Sequence, residues 1–264
     1  MYEVYALRYA TTAQDRPRRE NFIPGMDLHN GPMPLDYFIW VIRGPEGDVV
    51  VDTGFGPAQA AKRQRHLIAS PAEMLSRIGI DAGAVRSVIL THLHYDHAGS
   101  MSDFPKAQFH VQDAEMAYAT GRPMCHACLS APFNVDDVVD AVRLVHGGRM
   151  TFHDGDTEFA PGITLHRIGG HTGGLQVVRV TTERGPLVLA SDAFHFSENR
   201  IRRAPFPLVY HVGDMLEGFA KCEALAGGDP DLLIPGHDPE VRHRWPTVSP
   251  DEPNILRLDL APIA

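Results

Sequence analysis

A chain of 264 residues, 44% apolar and 22% charged, is long enough to bury a substantial core and carries no low-complexity tract. Its 24 basic against 33 acidic residues give a formal charge of −9, which disfavours a nucleic acid as partner because phosphate binding needs a basic face. The opening MYEVYALRYATTAQDRPRRE lacks the apolar run of a signal peptide or membrane span, and three cysteines imply no disulfide framework; we expect a reduced, cytoplasmic protein, not membrane-bound, folded as one domain over residues 1–264.

In chain order the N-terminal half reads as strands first. Glu3–Tyr9 alternates, Asp36–Ile42 is apolar and aromatic, and Asp48–Asp52 is β-branched. Gly54 and Gly56 break that pattern before AQAAKRQRHLI, which favours helix. Ser70-Pro71-Ala72-Glu73 is a helix start with Ser as N-cap, Pro at N1 and Glu at N3. Ser87–Leu90 is a short buried strand, followed by a strand near Gln108–Val111 and a helix from about Asp113. Residues 121–147 read as a less regular, partly helical insertion; its Cys125 and Cys128 have metal-site spacing but no second cysteine pair, and read as two thiols in a connecting segment. Strands return at Arg149–Phe152, Ile163–Ile168, Leu175–Thr181 and Leu187–Ala190. A helix over Met215–Leu225 and a last short strand at Leu232–Ile234 complete the pattern. Two comparable halves of mixed strands and helices suggest two sheets with helices outside, an α+β arrangement.

Four loops just past apolar strands carry the chemistry. Thr91-His92-Leu93-His94-Tyr95-Asp96-His97 follows the strand at Ser87–Leu90; His171, Asp192 and His237 follow three later strands. Five histidines and two aspartates without thiolate suit zinc, and also manganese or iron. Seven ligands are too many for one tetrahedral ion but suit two ions that share a carboxylate. His92, His94 and Asp96 stand two apart, so an extended segment would project them from one face. His29, His66 and His110 read as ordinary histidines.

The pattern His92-x-His94-x-Asp96-His97, then His171, Asp192 and His237, with Asp52-Thr53-Gly54 after the third strand, resembles the metallo-β-lactamase superfamily, and within it the N-acyl homoserine lactonase group. That resemblance implies an αββα sandwich with a dinuclear site on one edge. It implies His92, His94 and His171 on one ion, Asp96, His97 and His237 on the other, and Asp192 bridging both together with a hydroxide. Asp52 would orient a ligating histidine from behind. The implied cofactors are two divalent ions, zinc first, with manganese or iron as alternatives.

Two such ions, two carboxylates and a hydroxide leave a charge of about +1, which lowers the pKa of water and favours the oxyanion formed when an ester carbonyl is attacked. The resemblance then implies hydrolysis of a small lactone as the expected activity, with a glyoxalase II-like thioesterase or another ester or amide hydrolase of the same fold as the alternative. Asp96 is expected to accept and pass on a proton. The lactonase group typically has a tyrosine three residues past the bridging aspartate; here the residue is His195, expected to polarise the carbonyl or protonate the leaving group. Gly173 stands where the superfamily commonly has proline, and is expected to free the backbone there. Substrate selection is expected from residues 21–34, 124–137 and 199–210, the last offering Arg202 and Arg203 beside Phe206, Leu208, Val209 and Tyr210.

Overall fold

The computed structural model describes residues 1–26 and 29–263; part of the expected selectivity segment 21–34, residues 27 and 28, lies outside them. In chain order, β1 (Glu3–Thr11), β2 (Asp36–Gly44), β3 (Gly47–Val51), β4 (His66–Leu67), β5 (Ser87–Ile89), β6 (Gln108–Gln112) and β7 (Met150–His153) enter one sheet. A second sheet holds β8 (Thr157–Ala160), β9 (Ile163–Arg167), β10 (Gln176–Thr182), β11 (Gly185–Ser191) and β12 (Leu233–Pro235). Strand β13 (Ile255–Arg257) returns to the first. The first sheet runs β13-β1-β2-β3-β5-β6-β7, with β4 paired to β1; the second runs β12-β11-β10-β9-β8. Two packed sheets in this order make the sandwich that the resemblance implies.

The period-2 pattern of β1 and β2 explains the layering. Tyr5, Leu7 and Tyr9 of β1, with Tyr37, Ile39 and Val41 of β2, pack into a core with Met74, Leu75, Ala141 and Leu144 from the helices Pro71–Ser76 and Val135–His146. The alternate residues Val4 and Ala6, with Phe38, Trp40 and Ile42, pack against Val178, Val180 and Leu189 of the second sheet. Both faces of the central strands are therefore dry, which is why Asp36–Ile42 reads as a continuous apolar run. A wholly buried side chain such as Ile42 or Phe38 contributes roughly 1.5–3 kcal/mol by leaving water. On the second sheet, Met215, Phe219 and Cys222 recur at helical spacing along Val212–Leu225 and bury one stripe of that helix.

Local signals hold where they involve caps. The Ser70 hydroxyl accepts from the Glu73 amide at 3.3 Å while the Glu73 carboxylate accepts from the Ser70 amide at 2.7 Å, and Pro71 opens the helix. Other boundaries differ. The helix expected from AQAAKRQRHLI spans only Pro57–Arg63, because Gln64 turns left-handed and residues 66–67 pair with β1. The insertion at 121–147 is more regular than expected, with a twelve-residue helix over Val135–His146. Leu233–Pro235 is not the last strand, since β13 follows it, and β8 also went unread.

Candidate metal centre

Strands β3, β5 and β6 lie parallel in the first sheet, as do β11 and β12 in the second. Their C-terminal ends face one edge of the sandwich. Asp52 follows β3, residues 91–97 follow β5, Asp192 follows β11 and His237 follows β12, while His171 sits in the turn between β9 and β10. All of these residues are at least nine-tenths buried. Asp52 and Ser191, one from each sheet, adopt left-handed backbone with φ of 63° and 46°, a strain of order 1–3 kcal/mol each. Both turn their side chains onto one atom, the Thr91 hydroxyl, at 2.8 and 2.9 Å, so the strained corners of the two sheets meet there.

Hydrogen bonds on the outer nitrogens set the histidine tautomers. Thr91 donates its hydroxyl proton to Asp52 Oδ2 and can accept from His92 Nδ1 at 3.1 Å. His171 Nδ1 donates to the Leu208 carbonyl at 2.7 Å, and His237 Nδ1 to the Asp36 carbonyl at 2.9 Å. His97 Nδ1 lies 2.7 Å from Asp52 Oδ2, whose partner oxygen takes the Thr91 amide, also at 2.7 Å. Each of these four rings therefore turns Nε2 inward, the atom a metal ligand needs. The start of β2 fixes His237 twice, since the Asp36 amide also donates to the His237 carbonyl at 3.0 Å.

The inward atoms fall into two groups on either side of one carboxylate. His92 Nε2 and His171 Nε2 each lie 3.0 Å from His94 Nδ1, and Asp192 Oδ2 is 3.1 Å from His171 Nε2 and 3.7 Å from His92 Nε2. On the other side Asp192 Oδ1 is 3.0 Å from His237 Nε2 and 3.4 Å from His97 Nε2, while Asp96 oxygens stand 3.8 and 3.9 Å from the same two nitrogens. A tetrahedral ion with bonds of 2.0–2.1 Å puts its ligand atoms about 3.3 Å apart, so both sets have the right spacing. His97 Nε2 and Asp192 Oδ1 are buried and make no hydrogen bond, although buried polar atoms are normally satisfied. A single proton on His94 Nδ1 serves only one of the two Nε2 atoms that converge on it at 3.0 Å, whereas a cation among the three nitrogens satisfies them all. The donor set thus fits two divalent ions.

Electrostatics follow the same division. Burial, reinforced by neighbouring imidazoles, holds His92 and His94 well below the usual histidine range, so both are neutral. Burial also acts to lower His97, but Asp192, Asp52 and Asp96 outweigh it and raise the ring well above that range. Burial acts to raise Asp192, yet His195, His237, His97 and His171 hold it well below the usual carboxylate range.

His195 stands 2% exposed, three residues past Asp192, with Nε2 3.2 Å from Asp192 Oδ2. Its ring lies flat on Phe206, with centroids 3.7 Å apart. Burial keeps it well below the usual histidine range despite the nearby Asp192 carboxylate. His195, His94, Asp96, Asp192 and His237 form the floor of a cavity of about 310 Å³. Phe206, Pro207 and Leu208 make one wall and Ala131 and Pro132 another, so two of the expected selectivity segments reach it.

Several details escaped the sequence. Arg202 and Arg203 do not line the cavity; Arg202 reaches Glu198 and Arg203 reaches Glu223. Tyr210 packs on Tyr118 and is half exposed. The arginines in the wall are Arg16, Arg63 and Arg65, beside Tyr37 and Tyr95. Gly173 does not need glycine for its backbone; a Cβ there would come within 2.8 Å of Tyr118, so close packing demands it. Glu115, wholly buried, accepts from the Leu93 amide at 2.9 Å, the Thr172 hydroxyl at 2.6 Å and the Gly174 amide at 3.0 Å. It ties the His92–His97 loop to the His171 loop. Cys125 and Cys128 are both exposed, in keeping with a connecting segment.

Comparison with known proteins agrees with this geometry. The Metallo-beta-lactamase superfamily model matches residues 33–237. An N-acyl homoserine lactonase of Bacillus sp is 28% identical over 225 residues, covering 78% of this chain and 83% of the relative. A Mycobacterium tuberculosis protein named "Probable metallo-hydrolase" is 27% identical over 239 residues, covering 77% and 74%. The solved structure of a quorum-quenching N-acyl homoserine lactone lactonase superposes with a TM-score of 0.74 at 22% identity, over 90% of this chain and 92% of that one. Among the described residues, no helix is long and apolar enough to cross a membrane.

Proposed function

The chain belongs to the metallo-beta-lactamase superfamily, and from that premise we propose that it is a dinuclear metal-dependent hydrolase that opens a small lactone ring. One observation carries the reading: Asp192 presents one oxygen to the His92, His94 and His171 set and the other to the His97 and His237 set. A relative named as an N-acyl homoserine lactonase, matched over 78% of this chain, supports a lactone as the substrate class. Zinc suits the imidazole-rich donor set best.

When bound, two such ions lower the pKa of water and polarise an ester carbonyl. The chain's own residues do the rest. Asp52, Thr91, Leu208 and Asp36 hold four imidazoles in one tautomer, so the ligands need little rearrangement. Asp96, at the cavity floor, accepts a proton from the attacking water. His195 is immobilised by Phe206 and donates to the carbonyl or leaving oxygen, in the place where the lactonase group uses tyrosine. The apolar wall of Phe206, Pro207 and Leu208 excludes water and receives the substrate body.

A pH-indicator assay of the zinc-, manganese- and iron-loaded protein over homoserine lactones, other lactones, thioesters and β-lactams tests the proposal. Lactone turnover should exceed thioester and β-lactam turnover by at least tenfold. Thioester preference without lactone turnover would overturn it.

A further inference from the structure

The cavity wall that holds Arg16, Arg63 and Arg65 carries positive charge that the hydrolysis of a neutral ester does not use. Its origin lies in the chain just past the helix Pro57–Arg63. Gln64 adopts the left-handed conformation, φ 55°, and the Arg65 amide returns to the Ala60 carbonyl at 2.8 Å. This tight stop swings the next side chain off the helix and onto the cavity. Arg65 Nε donates to the Tyr95 hydroxyl at 3.3 Å, and the guanidinium lies 5.9 Å from the centre of the Tyr37 ring. Arg63 stacks on Tyr95 at 3.8 Å and is tied to the Ala131 and Phe133 carbonyls at 3.0 and 3.2 Å.

Neither Arg63 nor Arg65 forms an ion pair with a carboxylate among the described residues. Arg16, the third arginine of the wall, is paired at 3.0 Å with Glu20. Arg63 spends donors on backbone carbonyls, whereas the two terminal nitrogens of Arg65 make no hydrogen bond within the described residues. A chain with nine more acidic than basic residues thus keeps, among the described residues, two guanidinium groups with no carboxylate in ion-pair contact in the wall of its reactive cavity, Asp96 and Asp137 acting on Arg65 and Arg63 only from farther off. A guanidinium fork matches a planar or tetrahedral oxyanion bidentately, and partial burial strengthens that contact over one in bulk water.

We propose that Arg65, steadied by Tyr95 and Tyr37 and seconded by Arg63, binds an oxyanion on the substrate, a carboxylate or phosphate set apart from the ester that is cleaved. This rests on the hydrolase reading and narrows it: the preferred lactone carries a negative charge. Arg65 is then a specificity determinant that acts on affinity for the anionic group and leaves the reacting carbonyl to the cavity floor.

Binding to the zinc-loaded protein, measured by calorimetry, tests this without turnover. The probes are glutarate, 4-phosphonobutyrate and pentanoate, which share one carboxylate for the floor and differ at the far end. At least one of the two dianions should bind tenfold or more tighter than pentanoate, and the tighter one identifies the oxyanion. In Arg65→Ala the preference should fall to within about twofold, with pentanoate affinity and zinc content unchanged, and Arg65→Lys should restore part of it. Equal binding of all three probes by the wild type would overturn the proposal, as would a preference that survives Arg65→Ala. Should Arg65→Ala not fold, Arg65→Gln carries the same test with the guanidinium's bulk largely kept. Turnover separates the two readings. Dianion preference with thioester but no lactone hydrolysis removes the lactone and leaves the anion site standing. Lactone hydrolysis without dianion preference does the reverse.

Discussion

Two groups of histidines sit in this fold and behave as opposites. At the strand ends, His92, His94, His97, His171, His195 and His237 crowd around Asp96 and Asp192, and four of them have the outer nitrogen held by a fixed oxygen. On the neighbouring edge of the first sheet, His110 of β6 and His153 of β7 stack with Nδ1 and Nε2 3.1 Å apart, and among the described residues no third ligating side chain joins them. Burial and its partner ring push His110 down to about 4, so that pair is simply neutral. The residue type is the same in both places. What makes one a candidate metal centre is the carboxylate at its middle and the acceptors behind it.

Removing an acceptor should make the centre resemble the ordinary pair. Asp52→Asn keeps the shape but can offer only one accepting oxygen to three donors, from His97 Nδ1 and the Thr91 amide and hydroxyl. We expect a loss of about 10–100-fold in zinc affinity or hydrolytic rate, read by competition with a chelator and by initial rates. Glu115→Gln tests whether the two loops need their shared brace. Three donors converge on that carboxylate, so an amide must turn its NH₂ onto one of them. The cost should be about 1–3 kcal/mol, or a fall in Tm of roughly 2–10 °C, with zinc affinity reduced less than in Asp52→Asn.

The smallest effect belongs to the ordinary pair. His110 titrates near 4 in the folded state and near 6.5 unfolded, so its contribution is complete above about pH 6.5 and is lost as pH falls towards 4. Allowing for partial exposure, about 1 kcal/mol should disappear over that window. In His110→Gln the decline in Tm between pH 7 and pH 4.5 should be shallower by about 2–4 °C, with zinc content unchanged. An unaltered slope would show that the pair does not govern acid stability.

The same contrast explains what the sequence made legible. His92, His94, Asp96 and His97 lie within six positions, and His171, Asp192 and His237 each follow an apolar strand, so pattern and resemblance could find them. Asp52 was legible through the resemblance, which the Asp52-Thr53-Gly54 turn after the third strand helps to carry. Glu115 was not: it sits in DAEMAYA, an ordinary helical segment, and its importance comes from two loops distant in sequence that converge on it. Arg65 was hidden because a single left-handed residue, Gln64, decides where it points. The valine-rich helix Val135–His146 was read only as part of a partly helical insertion, since β-branched residues favour strands locally, and its buried stripe of Val138, Ala141 and Leu144 settles the matter. Strand β13 is three residues long and exists because β1 offers it an edge.

In the proposed function one carboxylate, Asp192, serves two ions. Zinc per chain, measured by plasma emission after exhaustive dialysis against trace-zinc buffer, addresses it directly. The wild type should retain two equivalents, His237→Ala and His92→Ala about one each, and Asp192→Asn fewer than two. A wild type saturating at a single equivalent, or an Asp192→Asn protein that keeps both ions at undiminished affinity, would contradict it.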